Sequence, residues 1–228
     1  MRILLFPRGA DVLFLLLRDF CLHSASHQGA HGCSEGYSKS PLNGTAGEHG
    51  YLYSPKLLSK INHSDNFLEQ SKKENIHIRP LHINDYEKGF LQILSQLTVV
   101  GDISREEFEA QFEVMKSSPE TYYVTVLEDK NTHRVIGSAT LLLERKFVRQ
   151  CAIRARVEDV VVSDAYRGKQ LGKTLVQALI SMSRIMGSYK ISLDCNDKMI
   201  PFYESLGFVG EAGNANTLVI RLSGKPKL

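Results

Sequence analysis

The sequence predicts an α/β domain, and three observations predict it. From Ile76 onward, apolar residues alternate between the two-residue period of a strand and the longer period of a helix. A polar turn between two runs rich in β-branched and aromatic residues reads as a hairpin. A valine-rich strand then passes through a glycine-containing loop into a long amphipathic helix.

The elements follow in order. Residues 76–80 (IHIRP) alternate apolar and polar, as a half-buried strand does. Tyr86, Phe90, Leu91, Ile93, Leu94 and Leu97 keep helical spacing. Ser104 with Glu107 three residues on forms a capping box, ahead of a second helix with the stripe Phe108, Phe112, Met115. Residues 122–127 and 135–143 are strands, joined by the polar turn 128–133. Residues 156–162 (RVEDVVV) make a further strand, whose three valines predict burial on both faces. After the loop 163–170 comes a helix carrying Leu171, Leu175, Val176, Leu179, Ile180 and Met186, with Gly187 placed to end it in a left-handed conformation. Residues 189–195 (YKISLDC) alternate again, with Ile191, Leu193 and Cys195 on one face. A short helix at 198–206 and a strand at 216–222 complete the order β-α-α-β-β-β-α-β-α-β.

Composition narrows the function classes. The chain has 228 residues, 43% hydrophobic and 23% charged, enough to build a core without disulfide or metal staples. A net charge of +3 suits anionic small molecules but is too weak for nucleic acid, and no Lys/Arg run interleaves with aromatics. No stretch nears the ~20 apolar residues of a membrane span. The apolar run 12–17 is bounded by Asp11, Arg18 and Asp19, a poor match to a signal peptide, although Arg2, Arg8 and Arg18 leave a transit peptide open. Whether this run touches a membrane surface also stays open.

Cys21, Cys33, Cys151 and Cys195 lie far apart with no C-x-x-C pair, which speaks against a disulfide framework or zinc ribbon. Cys151 and Cys195 read as buried small hydrophobes, and a reducing compartment, the cytoplasm, fits best. Residues 20–50 are rich in Ser, Gly and His and too poor in aliphatic side chains to offset their ordering entropy. Residues 1–50 are therefore expected to be a disordered extension, and 51–228 the domain, with its core at 76–222. His23, His27 and His31, with Cys33 beyond, have the spacing of a metal site. Gly29 and Gly32 oppose the helix such a site needs, so a polar tail without metal is the reading.

The most informative stretch is 160–173, VVVSDAYRGKQLGK. Unpaired N–H groups at a helix N-terminus form a ready pyrophosphate site, and Gly168 and Gly172 let the backbone come close. Arg167, Lys169 and Lys173 add positive charge. By itself the loop specifies an anion, and a plain turn with solvated charges explains it as well.

Arg-x-x-x-x-Gly at Arg167 to Gly172, after a valine-rich strand, resembles the acetyl-CoA loop of GNAT acyltransferases, although Gln170 stands where that pattern has its central glycine. The run RGKQLGK with RVEDVVVSD upstream is similar to glucosamine-6-phosphate N-acetyltransferases. So are QLT at 96–98, TYYVTVLED at 121–129, ERKF at 144–147 and FYESLGF at 202–208. The resemblance covers about residues 51–222.

It implies the GNAT fold: a mixed, mostly antiparallel sheet with a splayed parallel strand pair and flanking helices. It implies acetyl-CoA as co-substrate, with its pantetheine arm in the splay against Val160, Val161 and Val162. The pyrophosphate falls to Arg167, Gly168, Lys169, Gln170, Leu171, Gly172 and Lys173, with Tyr203, Glu204 and Ser205 beside the cofactor. Tyr203 is implied as the acid that protonates the CoA thiolate, against the plainer reading of a core tyrosine. Glu158, Asp159 and Asp194 are the carboxylates available to orient the amine and accept its proton, or else structural ion-pair partners. Backbone N–H near Val160 is placed to polarise the thioester oxygen.

For the amino sugar phosphate, a small-molecule substrate, the resemblance implies Thr98, Lys146, Phe147, Val148, Arg149, Glu158, Asp159, Tyr189, Lys190 and Arg221. Cationic side chains in that set are natural phosphate partners. Met199 stands where the family often has an Asn able to bond the pantetheine. A homodimer is also implied. The rival readings are a GNAT enzyme for a peptide or polyamine amine, which predicts an acidic groove, and a non-catalytic acyl-CoA-binding protein.

Overall fold

The computed structural model describes residues 49–61, 71, 74–211 and 219–220, all within one compact unit. The expected disordered extension up to residue 48, its His23/His27/His31/Cys33 cluster, Cys21 and Arg221 lie outside the described residues. So does most of the expected strand 216–222; its two described residues, Val219 and Ile220, are exposed and not in a strand.

A short helix, α1 (Lys56–Ser59), precedes strand β1 (Ile76–Pro80). A 3-10 turn (Ile83–Tyr86), α2 (Phe90–Leu94) and α3 (Arg105–Lys116) follow. Next come β2 (Tyr122–Asp129), β3 (Arg134–Arg145) and β4 (Ile153–Val162). Then α4 (Leu171–Ile185), β5 (Ser188–Ser192) and α5 (Ile200–Glu204) complete the described part. The strands form one sheet in the order β1-β2-β3-β4-β5, antiparallel except for the parallel pair β4-β5.

Strand alternation builds the core on both faces of the sheet. Leu127, Leu141, Ala155 and Val157 face Leu171, Leu175, Ala178, Leu179 and Met182 of α4. Val124, Val126, Val135 and Val161 face Phe90, Ile93, Phe108 and Phe112 of α2 and α3. The capping box of α3 forms as expected: the Ser104 hydroxyl accepts from the Glu107 N–H, and the Glu107 carboxylate accepts from the Ser104 N–H. Gly187, at φ +72°, ends α4 as its position suggested.

The sequence reading needs several corrections. The single helix expected from Tyr86 to Leu97 is broken at Gly89, where φ is +90° and an added Cβ would stand 2.9 Å from Arg134 Nη2. Leu97 is accordingly exposed. Cys151 and Cys195 are exposed free thiols, because one closes the turn after β3 and the other lies beyond the end of β5. The strand expected to reach residue 195 stops at Ser192. Of the three valines only Val161 is buried; Val160 and Val162 are half-buried, since β5 does not follow β4 that far.

Beneath β1 lies a buried ion network. Arg79 donates through both Nη atoms to the fully buried Asp85 carboxylate at 2.7 Å and through Nε to Glu128 at 2.7 Å, and Lys88 adds a bond to Glu128 at 2.8 Å. These bonds, against the desolvation that opposes them, hold the Glu128 carboxyl down at about 2. They tie β1, the 3-10 turn and β2 into one frame.

Candidate active site

The site begins where β4 and β5 part. Their parallel pairing runs from Ile153/Ser188 to Arg156/Ser192 and then ends, although β4 continues to Val162. On that side the backbone from Val157 to Val162 has no strand partner among the described residues. The opposite edge of β4 stays paired to β3 but carries a bulge: Ser138 pairs with Val161 and Thr140 with Glu158, so Asp159 and Val160 together face Ala139. Asp159 absorbs the extra residue with φ +51°. The bulge re-aims this part of the strand towards the opening.

Three carboxylates stand here. Arg156 donates through Nε to Glu158 and through Nη2 to Asp194, crossing from β4 to the segment after β5. Asp159 makes no ion pair among the described residues. Its carboxyl is pushed above the ordinary aspartate range, first by partial desolvation and second by the neighbouring Glu158 charge. Sequence reasoning overlooked Arg156. The available signal was its position two residues before Glu158, on the same face of the strand.

Past Val162 the chain enters the anion loop, which is anchored on every side. The Ser163 N–H donates to Ile136 O at 2.8 Å, the Asp164 N–H to Gln96 Oε1 at 3.1 Å, and the Tyr166 hydroxyl to Asp129 Oδ2 at 2.5 Å. Lys169 pairs with Glu74 at 2.7 Å and Arg167 with Asp164 at 2.5 Å. Lys173, on the first turn of α4, has no ion pair among the described residues. Gly168 has φ +84° with open space where a Cβ would go. Gln170 precedes α4 in the left-handed region, φ 57° and ψ 17°, and its side chain accepts no bond from the helix N–H groups. This explains why glycine suits that position and why glutamine still fits. The N–H groups of Leu171, Gly172 and Lys173 are thus left without a side-chain cap, the arrangement an anion could use.

The helix α5 closes this end of the opening. Phe202 lies against Gly172, and Tyr203 packs between Phe202 and Phe208, with ring centroids 4.9 and 5.8 Å away. Tyr203 is 9% exposed, and its hydroxyl makes no hydrogen bond among the described residues. Burial first, and Cys195 second, push its pKa above the ordinary tyrosine value. Glu204 and Ser205 are exposed on the same short helix, the Ser205 hydroxyl bonded back to Phe202 O. Met199, just before it, is exposed and offers no strong donor in place of an amide.

The expected substrate cations gather elsewhere. Lys146, Phe147, Val148 and Arg149 lie on the turn between β3 and β4, and Tyr189 and Lys190 at the start of β5. Phe147 is 97% exposed and Val148 64%. Arg149 sits over the Tyr189 ring at 5.0 Å, Lys146 pairs with Glu144, and Lys190 pairs with Glu211 at 2.8 Å. Along β4, five residues separate Ile153 from Glu158, about 17 Å at ~3.3 Å per residue. Among the described residues, therefore, the turn carrying Lys146 and Arg149 stands apart from the carboxylates. Thr98 lines a groove of about 870 Å³ with Tyr86, Leu91 and Arg134, next to the anion loop through the Gln96–Asp164 bond. Among the described residues no three His, Cys, Asp or Glu are grouped to hold a metal ion, and no helix is long and apolar enough to cross a membrane.

This arrangement has known counterparts. Residues 87–208 match the family model of the acetyltransferase (GNAT) family. A Drosophila melanogaster protein described as a probable glucosamine 6-phosphate N-acetyltransferase is 48% identical over 189 residues, covering 79% of this chain and 86% of that protein. The Arabidopsis thaliana glucosamine 6-phosphate N-acetyltransferase is 40% identical over 134 residues, 59% of this chain and 90% of that one. The crystal structure of the glucosamine-6-phosphate N-acetyltransferase from Arabidopsis superposes with a TM-score of 0.60, covering 64% of this chain and 99% of that one. An acetyltransferase of Trypanosoma brucei gives 0.57 at 34% identity, covering 65% and 99%.

Proposed function

The chain belongs to the GNAT family of acetyltransferases, and from that premise we propose that it transfers the acetyl group of acetyl-CoA to the 2-amine of D-glucosamine 6-phosphate. The observation that carries the reading is the opening beside β4, whose edge away from β3 has no strand partner among the described residues from Val157 to Val162 and leads to a helix N-terminus without a side-chain cap. A long substrate with an amide-bearing arm and a pyrophosphate needs such a pair of features. The amino sugar is supported by the names of the relatives, at up to 48% identity.

The residues divide the work as follows. The pyrophosphate of acetyl-CoA meets the N–H groups of Leu171, Gly172 and Lys173 and the charges of Lys173, Arg167 and Lys169. The arm pairs with the free edge at Val160 and Val162, and the bulge aims the Val160 N–H at the thioester oxygen. The unprotonated amine attacks the carbonyl carbon, forming the C–N bond as the carbonyl electrons move to oxygen. Asp159, without an ion-pair partner, takes the amine proton. Collapse then breaks the C–S bond, and Tyr203 gives its proton to the departing thiolate. Burial, which disfavours the phenolate, keeps that proton in place until it is needed.

The phosphate of the sugar is assigned to Lys146, Arg149 and Lys190, with Phe147, Val148, Tyr189 and Thr98 shaping its surroundings and Arg221 added from outside the described residues. Because the turn that carries Lys146 and Arg149 lies about 17 Å along β4 from Glu158, and Lys190, opposite Arg154, about 13 Å from it, the assignment includes a homodimer, in which one chain's cationic end completes its partner's opening. The exposed Phe147, Val148 and Tyr189 give that end the apolar surface a partner would cover. The exposed free thiols of Cys151 and Cys195 suit the reducing cytoplasm. The product amide serves the making of UDP-N-acetylglucosamine.

The test is release of the CoA thiol from acetyl-CoA with glucosamine 6-phosphate, glucosamine, spermidine and a lysine peptide. Turnover confined to the phosphorylated sugar is expected. Turnover on the peptide or polyamine alone would remove the substrate assignment and leave the family.

A further inference from the structure

Extending the β4-β5 register shows what further pairing would bring together. Arg156 is opposite Ser192; the next positions would be Val157 with Leu193 and then Glu158 with Asp194. Continued pairing would set two carboxylates directly across from each other, an arrangement that destabilises a sheet. Instead the guanidinium of Arg156 lies between them, bonded to both. Among the described residues it is the only cation paired with either carboxylate. A guanidinium has donors on several sides of a rigid plane and can hold two carboxylates at once, whereas an ammonium is a point charge on a flexible stem.

On the reading proposed above, we infer that Arg156 is a positioning residue for the transfer: forked between Glu158 and Asp194, it fixes the spacing of the two sides of the opening and directs both carboxylates at the amino sugar. It also separates their roles from that of Asp159. Two of the three carboxylates are engaged by the fork, and the third is left without an ion pair. The residue contacts neither reacting atom. It acts through Glu158 and Asp194, on which the orientation of the sugar's amine depends.

The experiment compares wild type, Arg156→Ala and Arg156→Lys with acetyl-CoA and glucosamine 6-phosphate. The alanine variant is expected to lose about 100-fold in kcat, the size of loss that follows a displacement of about 1 Å at a reacting centre. The lysine variant, which restores charge without the fork, recovers only part of this. The KM for acetyl-CoA stays within about threefold, because the anion loop and the Val160–Val162 edge are untouched. Arg156 is partly open to solvent, so free guanidinium at tens of millimolar, on the order of 10⁻² M, restores kcat in the alanine variant while equal sodium chloride does not. A kcat within twofold of wild type, or a loss matched by a fall in melting temperature and insensitive to guanidinium, overturns the inference. Wild-type turnover of a different amine removes the sugar assignment alone, and the same comparison on that amine then decides the role of Arg156. A wild type silent on every amine overturns both.

Discussion

Phe202 and Gly172 meet where α5 closes on the first turn of α4: a Cβ added to Gly172 would stand 3.5 Å from Phe202 Cζ, an ordinary contact distance. Folding therefore tolerates Gly172→Ala, and the better helix former adds up to about 1 kcal/mol. Acetyl-CoA binding should not tolerate it, because a methyl group would intrude on the approach of the pyrophosphate. We expect an unchanged or raised melting temperature together with a KM for acetyl-CoA raised about fivefold or more, on the order of 1 kcal/mol of lost contact. A KM equal to wild type would remove this glycine from the cofactor site.

Gln170 behaves in the opposite way. Its left-handed backbone costs a side-chain-bearing residue about 1–2 kcal/mol, and glycine avoids that cost while losing about 0.4–1 kcal/mol to unfolded-state entropy. Gln170→Gly is expected to be neutral or stabilising by about 1 kcal/mol in a denaturant titration, without weakening acetyl-CoA. Clear destabilisation would mean that the glutamine side chain contributes more than the loop geometry shows.

For Tyr203→Phe the ring contacts with Phe202 and Phe208 remain, and the lost hydroxyl has no hydrogen bond among the described residues. Stability should barely move, while kcat falls by about 10²–10⁴, the usual worth of a positioned proton donor. Since the phenol is raised above its ordinary value, its loss of activity on deprotonation belongs above about pH 10. A wild-type alkaline limb near pH 8 would have to come from another group.

Asp159 carries a pH signature of its own. Its folded pKa lies above the unfolded value, so the folded state prefers the protonated carboxyl. The ionised side chain therefore costs stability at neutral pH, and that cost disappears as the pH falls through the folded pKa. Asp159→Asn should be more stable than wild type at pH 7, equal to it below about pH 4, and strongly impaired in kcat. Stability lost at neutral pH would show that the carboxylate is structural.

Arg79 predicts a change without effect on the site. Arg79→Met strands the carboxylates of Asp85 and Glu128 in the interior and should cost about 3–5 kcal/mol. Glu128 is depressed to about 2, so the wild-type contribution is complete above about pH 5 and fades as the pH falls towards 2. Urea titrations at pH 7 and pH 3 should show a large difference between the two proteins that narrows in acid, with acetyl-CoA KM unaltered.

Much of this was readable in the chain because it depended on local rules. The Ser104/Glu107 box, the hairpin, the α4 stripe and the Gly187 stop each follow from spacing within a few residues. Gly89 misled the reading, since helical spacing continues through it while its left-handed backbone, φ +90°, breaks the helix, and Lys88 O accepts from the distant Val135 N–H at 2.9 Å. Cys151 and Cys195 looked buried because their neighbours are apolar; their exposure is set by where β3 and β5 end. The resemblance to a motif singled out the loop 163–173 and Tyr203. It did not single out Arg156, whose place two residues before Glu158 hints at one bond while the other, to Asp194, depends on strand pairing. The separation of Lys146 and Arg149 from Glu158 is likewise a property of strand direction, hidden in a sequence where they lie close.

The opening between β4 and β5 also has a consequence for the traffic of hydrogen. On the proposed assignment Asp159 belongs to one bank and Tyr203, carried by α5, to the other, with the acyl group between them. The hydrogen lifted from the amine and the hydrogen handed to sulfur are then two different atoms, and no chain of side-chain hydrogen bonds among the described residues joins the carriers. Each must be reset by water after the products leave. In mixtures of light and heavy water both carriers exchange, so kcat should fall along a curve, and not a straight line, as the deuterium fraction rises, the mark of two separate protons in transfer.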